Sequence, residues 1–249
     1  MDDFLSHPVE PGLIVRITRA MPPLSQALEA RIERLWSAAA ARVEAGGAGR
    51  LFNGRVFSID SIAPDLITGH LTEYRRLVAQ SEEHGLFEDL GIRSLAACGV
   101  LVCADTGTGG GVAIGRRPAA AVYQPGQWQL CPAGSVDAGA RGDDDTMDYR
   151  GQLLTEIQEE LGLDPSVIGP ITPLCVVEHP GSHVSDLGMA VSTTLSAAAV
   201  LEAHGRHGNG EYDPLRIVPV AELPAFIRWA GSALVSPAPL FLRRAGLLT

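Results

Sequence analysis

The sequence contains no lysine, and all 19 of its basic residues are arginine. Arginine offers phosphate oxygens a planar fork of donors. GC-rich coding produces the same bias, so the absence of lysine marks no site by itself. Aromatic residues are scarce, at 5%, which leaves Leu, Val, Ile and Ala to build the core. The four cysteines, Cys98, Cys103, Cys131 and Cys175, form no C-x-x-C pair and have no histidine at zinc-finger spacing. That pattern reads as buried or free thiols and not as a disulfide framework. No run of about 18 apolar residues occurs, so no membrane-spanning helix is expected. The opening MDDFLSHPVEPG is acidic and lacks the apolar stretch of a signal peptide, so a cytoplasmic protein is expected. Positive charge is in deficit, with a net −10. This excludes a general nucleic-acid binder, which needs a basic face. A small phosphorylated substrate stays open, because a metal ion can neutralise phosphate locally.

A chain of 249 residues accommodates one large or two small domains. Residues 12–19 alternate like a strand. Residues 25–45 carry apolar groups at helical spacing and stop at Gly46-Gly47. Leu51 to Ile62 reads as two short strands around Asn53-Gly54, a tight-turn pair, and residues 70–80 read as a helix. From Leu95 the texture changes. SLAACGVLVCAD is a buried strand, with GVAIGRR as its hairpin partner across DTGTGGG. That glycine-rich run lacks the Lys-Ser/Thr of a P-loop and reads as a hairpin loop. A strand near Tyr123, a turn at Pro125-Gly126 and the strand QWQLC follow. A helix is expected from about Thr146 to Leu161, then strands near 171–178, 187–195 and 215–219. A final helix covers roughly 221–230. Hairpins, one helix, more strands and a helix predict an α+β fold layered around a mixed sheet. The division falls between residues 85 and 95.

The chemistry concentrates in one helix. Glu156, Glu159 and Glu160 lie at i, i+3 and i+4 and share a face. Leu153, Leu154, Ile157 and Leu161 take the other side. Gly162 supplies a left-handed stop, and Asp164-Pro165 prevents continuation. Three carboxylates near the negative end of a helix dipole repel one another. Solvent around a surface helix would relieve this, and so would a hard divalent cation with oxygen ligands. The preceding loop, WQLCPAGSVDAG, carries Gly134, which lets backbone approach a ligand closely.

These residues resemble the Nudix hydrolase signature, G-x5-E-x7-R-E-U-x-E-E-x-G-U, where U is a bulky aliphatic. Gly134 matches its opening, and Glu156, Ile157, Glu159, Glu160, Gly162 and Leu163 match its second half. The box is seven residues too long, its first glutamate falls on Ala140, and the arginine before the catalytic glutamate is Thr155. Asp143, Asp144 and Asp145 are candidates for the lost acid, or else a solvated loop and helix N-cap. A narrower resemblance is to the UDP-glucose pyrophosphatase branch. That branch carries an FNG-x-x-F element, here Phe52 to Phe57, a T-x-Y-R segment, here Thr72 to Arg75, and a lengthened box without the arginine.

The resemblance implies a Nudix fold, a mixed sheet sandwiched between helices, over residues 94–249. Residues 1–93 would be a smaller α/β extension for nucleotide or sugar recognition. It implies hydrolysis of a nucleoside diphosphate linked to another moiety, UDP-glucose or UDP-galactose giving UMP and sugar 1-phosphate. The cofactor would be Mg²⁺, with Mn²⁺ as an alternative. Glu159 and Glu160 would hold metal, Glu156 would be a ligand or base, and the Gly134 carbonyl a further ligand. Glu211, or else Glu178, would supply an extra acid. Arg116 and Arg117 are candidates to meet phosphate. Tyr74 and Phe57 would stack on a base or belong to the core. His179, His183, His204 and His207 near polar loops, and Asp186, remain open. The partner is a small nucleotide substrate, with neither nucleic acid nor membrane. Homodimerisation is open, as is a catalytically impaired nucleotide-binding module.

Overall fold

The structure is a computed structural model and describes residues 4–46, 50–104, 110–119, 121 and 123–249. Most of the glycine-rich hairpin loop, residues 105–109, lies outside the described residues.

In chain order, β1 (Leu5–Pro8) and β2 (Ile14–Ile17) precede α1 (Gln26–Ala45). β3 (Arg55–Ile62), β4 (Leu66–Glu73), α2 (Tyr74–Glu82) and the short α3 (Phe87–Leu90) follow. Then come β5 (Leu95–Ala104), β6 (Gly111–Arg116), β7 (Trp128–Leu130), β8 (Ala133–Ser135) and the acidic helix α4 (Tyr149–Leu161). The chain continues through β9 (Thr172–Glu178), β10 (Ser185–Ser196), α5 (Ala197–His207), β11 (Leu215–Pro219), α6 (Leu223–Ala230) and α7 (Ala238–Arg244).

The sheet of β2, β4 and β3 is small; the larger one runs β1-β9-β10-β5-β6-β11, with β7 on β6 and β8 on β5. β10 and β5 are parallel and the other pairs of the larger sheet antiparallel, so it is mixed, as expected of an α+β fold. Both faces are buried. Leu153, Ile157 and Leu161 of α4 and Val200 of α5 join Leu101, Leu187 and Met189 on one face. Phe226 of α6 and Phe241 and Leu242 of α7 join Val100, Val112 and Val177 on the other. The first cluster also takes in Val15, Phe57, Ile59 and Ile67 of the small sheet. Residues on both sides of position 93 thus share one core. β1 also pairs with β9.

Several expected elements shift. Asn53-Gly54 does not turn two strands; β3 begins only at Arg55. Instead the Asn53 side chain accepts from the Arg75 backbone N–H at 2.9 Å. It thereby caps α2, whose own N-cap residue Glu73 makes no side-chain bond. Residues 70–73, read as helix, are the end of β4, because they pair with β3. Tyr123 lies in a bend and not in a strand. α4 starts at Tyr149, capped by Asp148 accepting from Gly151 N–H at 2.9 Å. Asp143 and Asp144 lie exposed in the turn before it and Asp145 is half-buried. Asp144 binds Thr146 and Asp145 pairs with Arg141. They therefore take the solvated-loop role, while the capping role falls to Asp148. Helices α5 and α7 and strand β1 go beyond the sequence expectation.

Candidate active site

A cavity of about 440 Å³ is lined by Gly134, Glu156, Glu160, Glu211, Arg117, Tyr74, Asp186 and others. Its size suits a nucleotide-sized ligand, for which pockets run roughly 300–1,000 Å³. Helical periodicity explains why Glu156 and Glu160 arrive together, one turn apart on α4. The leucine face of α4 packs on the sheet, which turns both carboxylates toward β8.

Glu160 is 3% exposed. Its Oε2 accepts from the Ala133 backbone N–H at 3.1 Å. Burial, then the charges of Glu156 and Glu211, push its pKa well above the ordinary carboxylate value. Glu156 accepts from Gln152 Nε2 at 2.7 Å. Burial raises its pKa to about 7, with Glu159, Asp137 and Glu211 adding repulsion. Gly134 makes room for it. A Cβ there would stand 2.0 Å from Glu156 Oε1. Gly115 does the same for Tyr212, whose ring would meet a Cβ at 2.4 Å.

Glu211 is far away in sequence, and its loop is tied to the end of α4. Asn209 N–H donates to the Glu159 carbonyl at 3.0 Å, and the Asn209 side chain accepts from Glu211 N–H at 2.9 Å. Arg117 lies across from these acids, its Nη2 2.9 Å from Glu211 Oε1. Its buried Nε has no partner among the described residues. A guanidinium with a spare buried donor is suited to an incoming phosphate oxygen.

Other candidates lie elsewhere. Glu159 is exposed and does not line the cavity. Arg116 turns away; its Nε donates to the Gly126 carbonyl and its guanidinium lies over the Trp128 ring. Phe57 is fully buried in the core, where it packs against Gly69. Tyr74 does line the cavity, near Arg117 and Glu211. Glu178 pairs with Arg93 and faces His183, outside the cavity lining. His183 stacks on Phe87. His204 and His207 belong to the last turn of α5. His179, read with these loop histidines, is buried and bonded to Asp186.

One side chain carries a role that its sequence context does not display. Thr155, in the place of the expected arginine, is exposed, and its hydroxyl donates to the Gly151 carbonyl at 3.2 Å. Gln152 orients Glu156 instead, from the preceding turn on the same face. Gln152→Leu is expected to lower kcat about 10–100-fold with little change in KM, as loss of an orienting contact does. Steady-state kinetics checks it, and an unchanged kcat removes Gln152 from the site.

The donor set admits a divalent cation. Among the described residues, no three Asp, Glu, His or Cys side chains stand together closely enough to hold a metal alone. Mg²⁺ does not require that: it is bound through one or two carboxylates, with water and substrate phosphates completing the shell. Buried, mutually repelling oxygen donors at Glu156 and Glu160 fit such an ion.

No family model matches the chain, and no curated protein matches it. Solved structures do. RenU, a Nudix hydrolase from M. smegmatis, is 17% identical over 53% of this chain and 74% of its own, with a TM-score of 0.39. A Nudix hydrolase from Alicyclobacillus acidocaldarius is 15% identical over 62% and 90%, with a TM-score of 0.43. DR0079 from Deinococcus radiodurans is 15% identical over 76% and 98%, with a TM-score of 0.46. These likenesses are distant, and the functional reading rests on the site itself.

Proposed function

We propose that the chain is a divalent-metal-dependent hydrolase of the Nudix type. It would cleave a nucleoside diphosphate linked to another group, with a UDP-sugar giving UMP and sugar 1-phosphate as its substrate. The carrying observation is the convergence of Glu156, Glu160, Glu211, Gly134 and Arg117 on one cavity. Glu156 and Glu160 would hold Mg²⁺ or Mn²⁺, with the Gly134 carbonyl and Glu211 as further oxygen donors and Glu159 reaching in from the rim. The cation would neutralise diphosphate charge and acidify a bound water. Glu156, fixed by Gln152, would accept the proton of the attacking water. Arg117 would donate to a phosphate oxygen where charge develops. Tyr74, 2.9 Å through its N–H from the Gly54 carbonyl, would carry substrate recognition from residues 1–93 into the catalytic part, residues 94–249.

A hydrolysis panel tests this. Nucleoside diphosphate sugars, dinucleotides and nucleoside triphosphates are incubated with and without Mg²⁺, and products are identified. Metal-dependent release of UMP and sugar 1-phosphate is expected, and Tyr74→Ala should shift selectivity among the nucleotides. No turnover of any of them, with binding retained, would leave a nucleotide-binding module instead.

A further inference from the structure

The cavity has a second polar end that the hydrolytic chemistry does not use. Asp186 lines it while remaining 7% exposed. Its Oδ2 is held by His179 Nε2 at 2.6 Å, and His179 is 5% exposed. The Phe4 and Tyr123 rings pack edge-on against that imidazole. The buried Cys98 also lines the cavity beside Asp186. No nitrogen donor reaches Oδ1 among the described residues.

The register fixes where this end lies. Asp186 pairs with Ala96, and Ala96 with Ser135. Asp186 and Ser135 are thus on one row, two strand spacings or about 10 Å apart, and Ser135 follows Gly134. A carboxylate placed at the diphosphate would repel it. A carboxylate set this far along the cavity instead accepts hydrogen bonds from whatever is attached to the diphosphate. Its carboxylate oxygen can accept from the O–H or N–H donors of a ligand. Its rigid seat suits recognition, because little ordering remains to be done when a ligand binds. Tyr74 and Leu77 line the same cavity and offer apolar cover for a ring.

We propose that Asp186, positioned by His179, is a specificity residue that accepts hydrogen bonds from sugar hydroxyls of the substrate. The assignment rests on the hydrolase reading above for the location of the diphosphate. Either the ribose or the transferred sugar can bring such hydroxyls, and the test separates them. UDP-glucose is compared with an analogue lacking the ribose 2′-hydroxyl and with analogues lacking single hexose hydroxyls. Turnover is followed with Mg²⁺, and binding by calorimetry without added metal. In the unmodified protein, loss of the recognised hydroxyl should weaken kcat/KM and binding by about 10–100-fold, the scale of a hydrogen bond to a charged group. In Asp186→Asn the same loss should cost less than about 3-fold. The analogue that shows the effect identifies the sugar. A purely structural Asp186 would depress all substrates equally and keep the hydroxyl penalty, which overturns the assignment. Should Asp186→Asn fail to fold, His179→Gln leaves the carboxylate but loosens it. The penalty must then shrink, and an unchanged penalty overturns the assignment. Binding with an intact penalty pattern but no turnover would instead refute only the hydrolase reading.

Discussion

Glu160→Gln is expected to abolish metal-dependent hydrolysis and, at the same time, to raise the melting temperature of the metal-free protein. The two effects have one cause. Glu160 is buried and faces Glu156 and Glu211, so ionising it costs free energy. A glutamine keeps the shape and the acceptor for Ala133 N–H but carries no charge. Activity should fall on the order of a thousandfold, the scale of losing a group that stabilises transition-state charge. The sign of the pH dependence follows from the same residues. A carboxyl whose folded pKa lies above its unfolded one keeps its proton in the folded state while the unfolded chain releases it. Stability then falls as pH rises between the two values. For Glu156 that window runs from 4.5 to about 7. It corresponds to about 3 kcal/mol at most, at roughly 1.36 kcal/mol per tenfold change in proton affinity. The gain in melting temperature of metal-free Glu160→Gln over the parent should therefore be larger at pH 7.5 than at pH 5, a comparison in which the opposing contributions of His7, His70 and His204, whose pKa values burial lowers, cancel. Mg²⁺ should recover more at the higher pH, by binding the ionised form. Glu159→Gln should cost activity without this gain, because Glu159 is already exposed. A Glu160→Gln protein that is fully active, or no more stable than the parent, would overturn the assignment.

The parts of the site carried by local periodicity were legible in the sequence. Glu156 and Glu160 sit one helical turn apart, and Gly162 adopts the left-handed conformation, φ 67°, that ends α4. Elements without glycine or proline between them were not legible. β10 runs straight into α5, and β4 straight into α2, with no turn residue at either junction. α5 begins on Ser196, which accepts from Ala199 N–H at 3.3 Å. α2 takes its cap from Asn53, 22 residues away from Arg75. Such a cap is invisible to a window moved along the chain. The same holds for His179 and Asp186. The turn that closes between β9 and β10 brings them together, and neither residue lies in a motif. Gln152 carries no sequence signal for another reason: the signature that this segment resembles has its orienting arginine at position 155, while the helix delivers its orienting group one turn earlier.

Gly134→Ala is expected to cost activity while leaving stability nearly unchanged. The added methyl would meet Glu156 at 2.0 Å from Oε1 and 2.2 Å from its carboxyl carbon. The far end of a glutamate can move, so the fold absorbs the clash by displacing the carboxylate. Glu156 then leaves Gln152 and its place beside β8. A displacement of about 1 Å at a reacting group costs about a hundredfold in kcat, while the melting temperature should change little. Gly115→Ala is the matched comparison. Its methyl would meet the Tyr212 ring at 2.4 Å, and that ring is fully buried and bonded to Gln129. It has nowhere to go, so the cost should appear as about 1–3 kcal/mol of stability, the range for overpacking a core. Kinetics and denaturant melts of the two variants check the contrast. If Gly134→Ala melts early and keeps its kcat, the space beside β8 serves packing, and Glu156 does not need its observed position for catalysis.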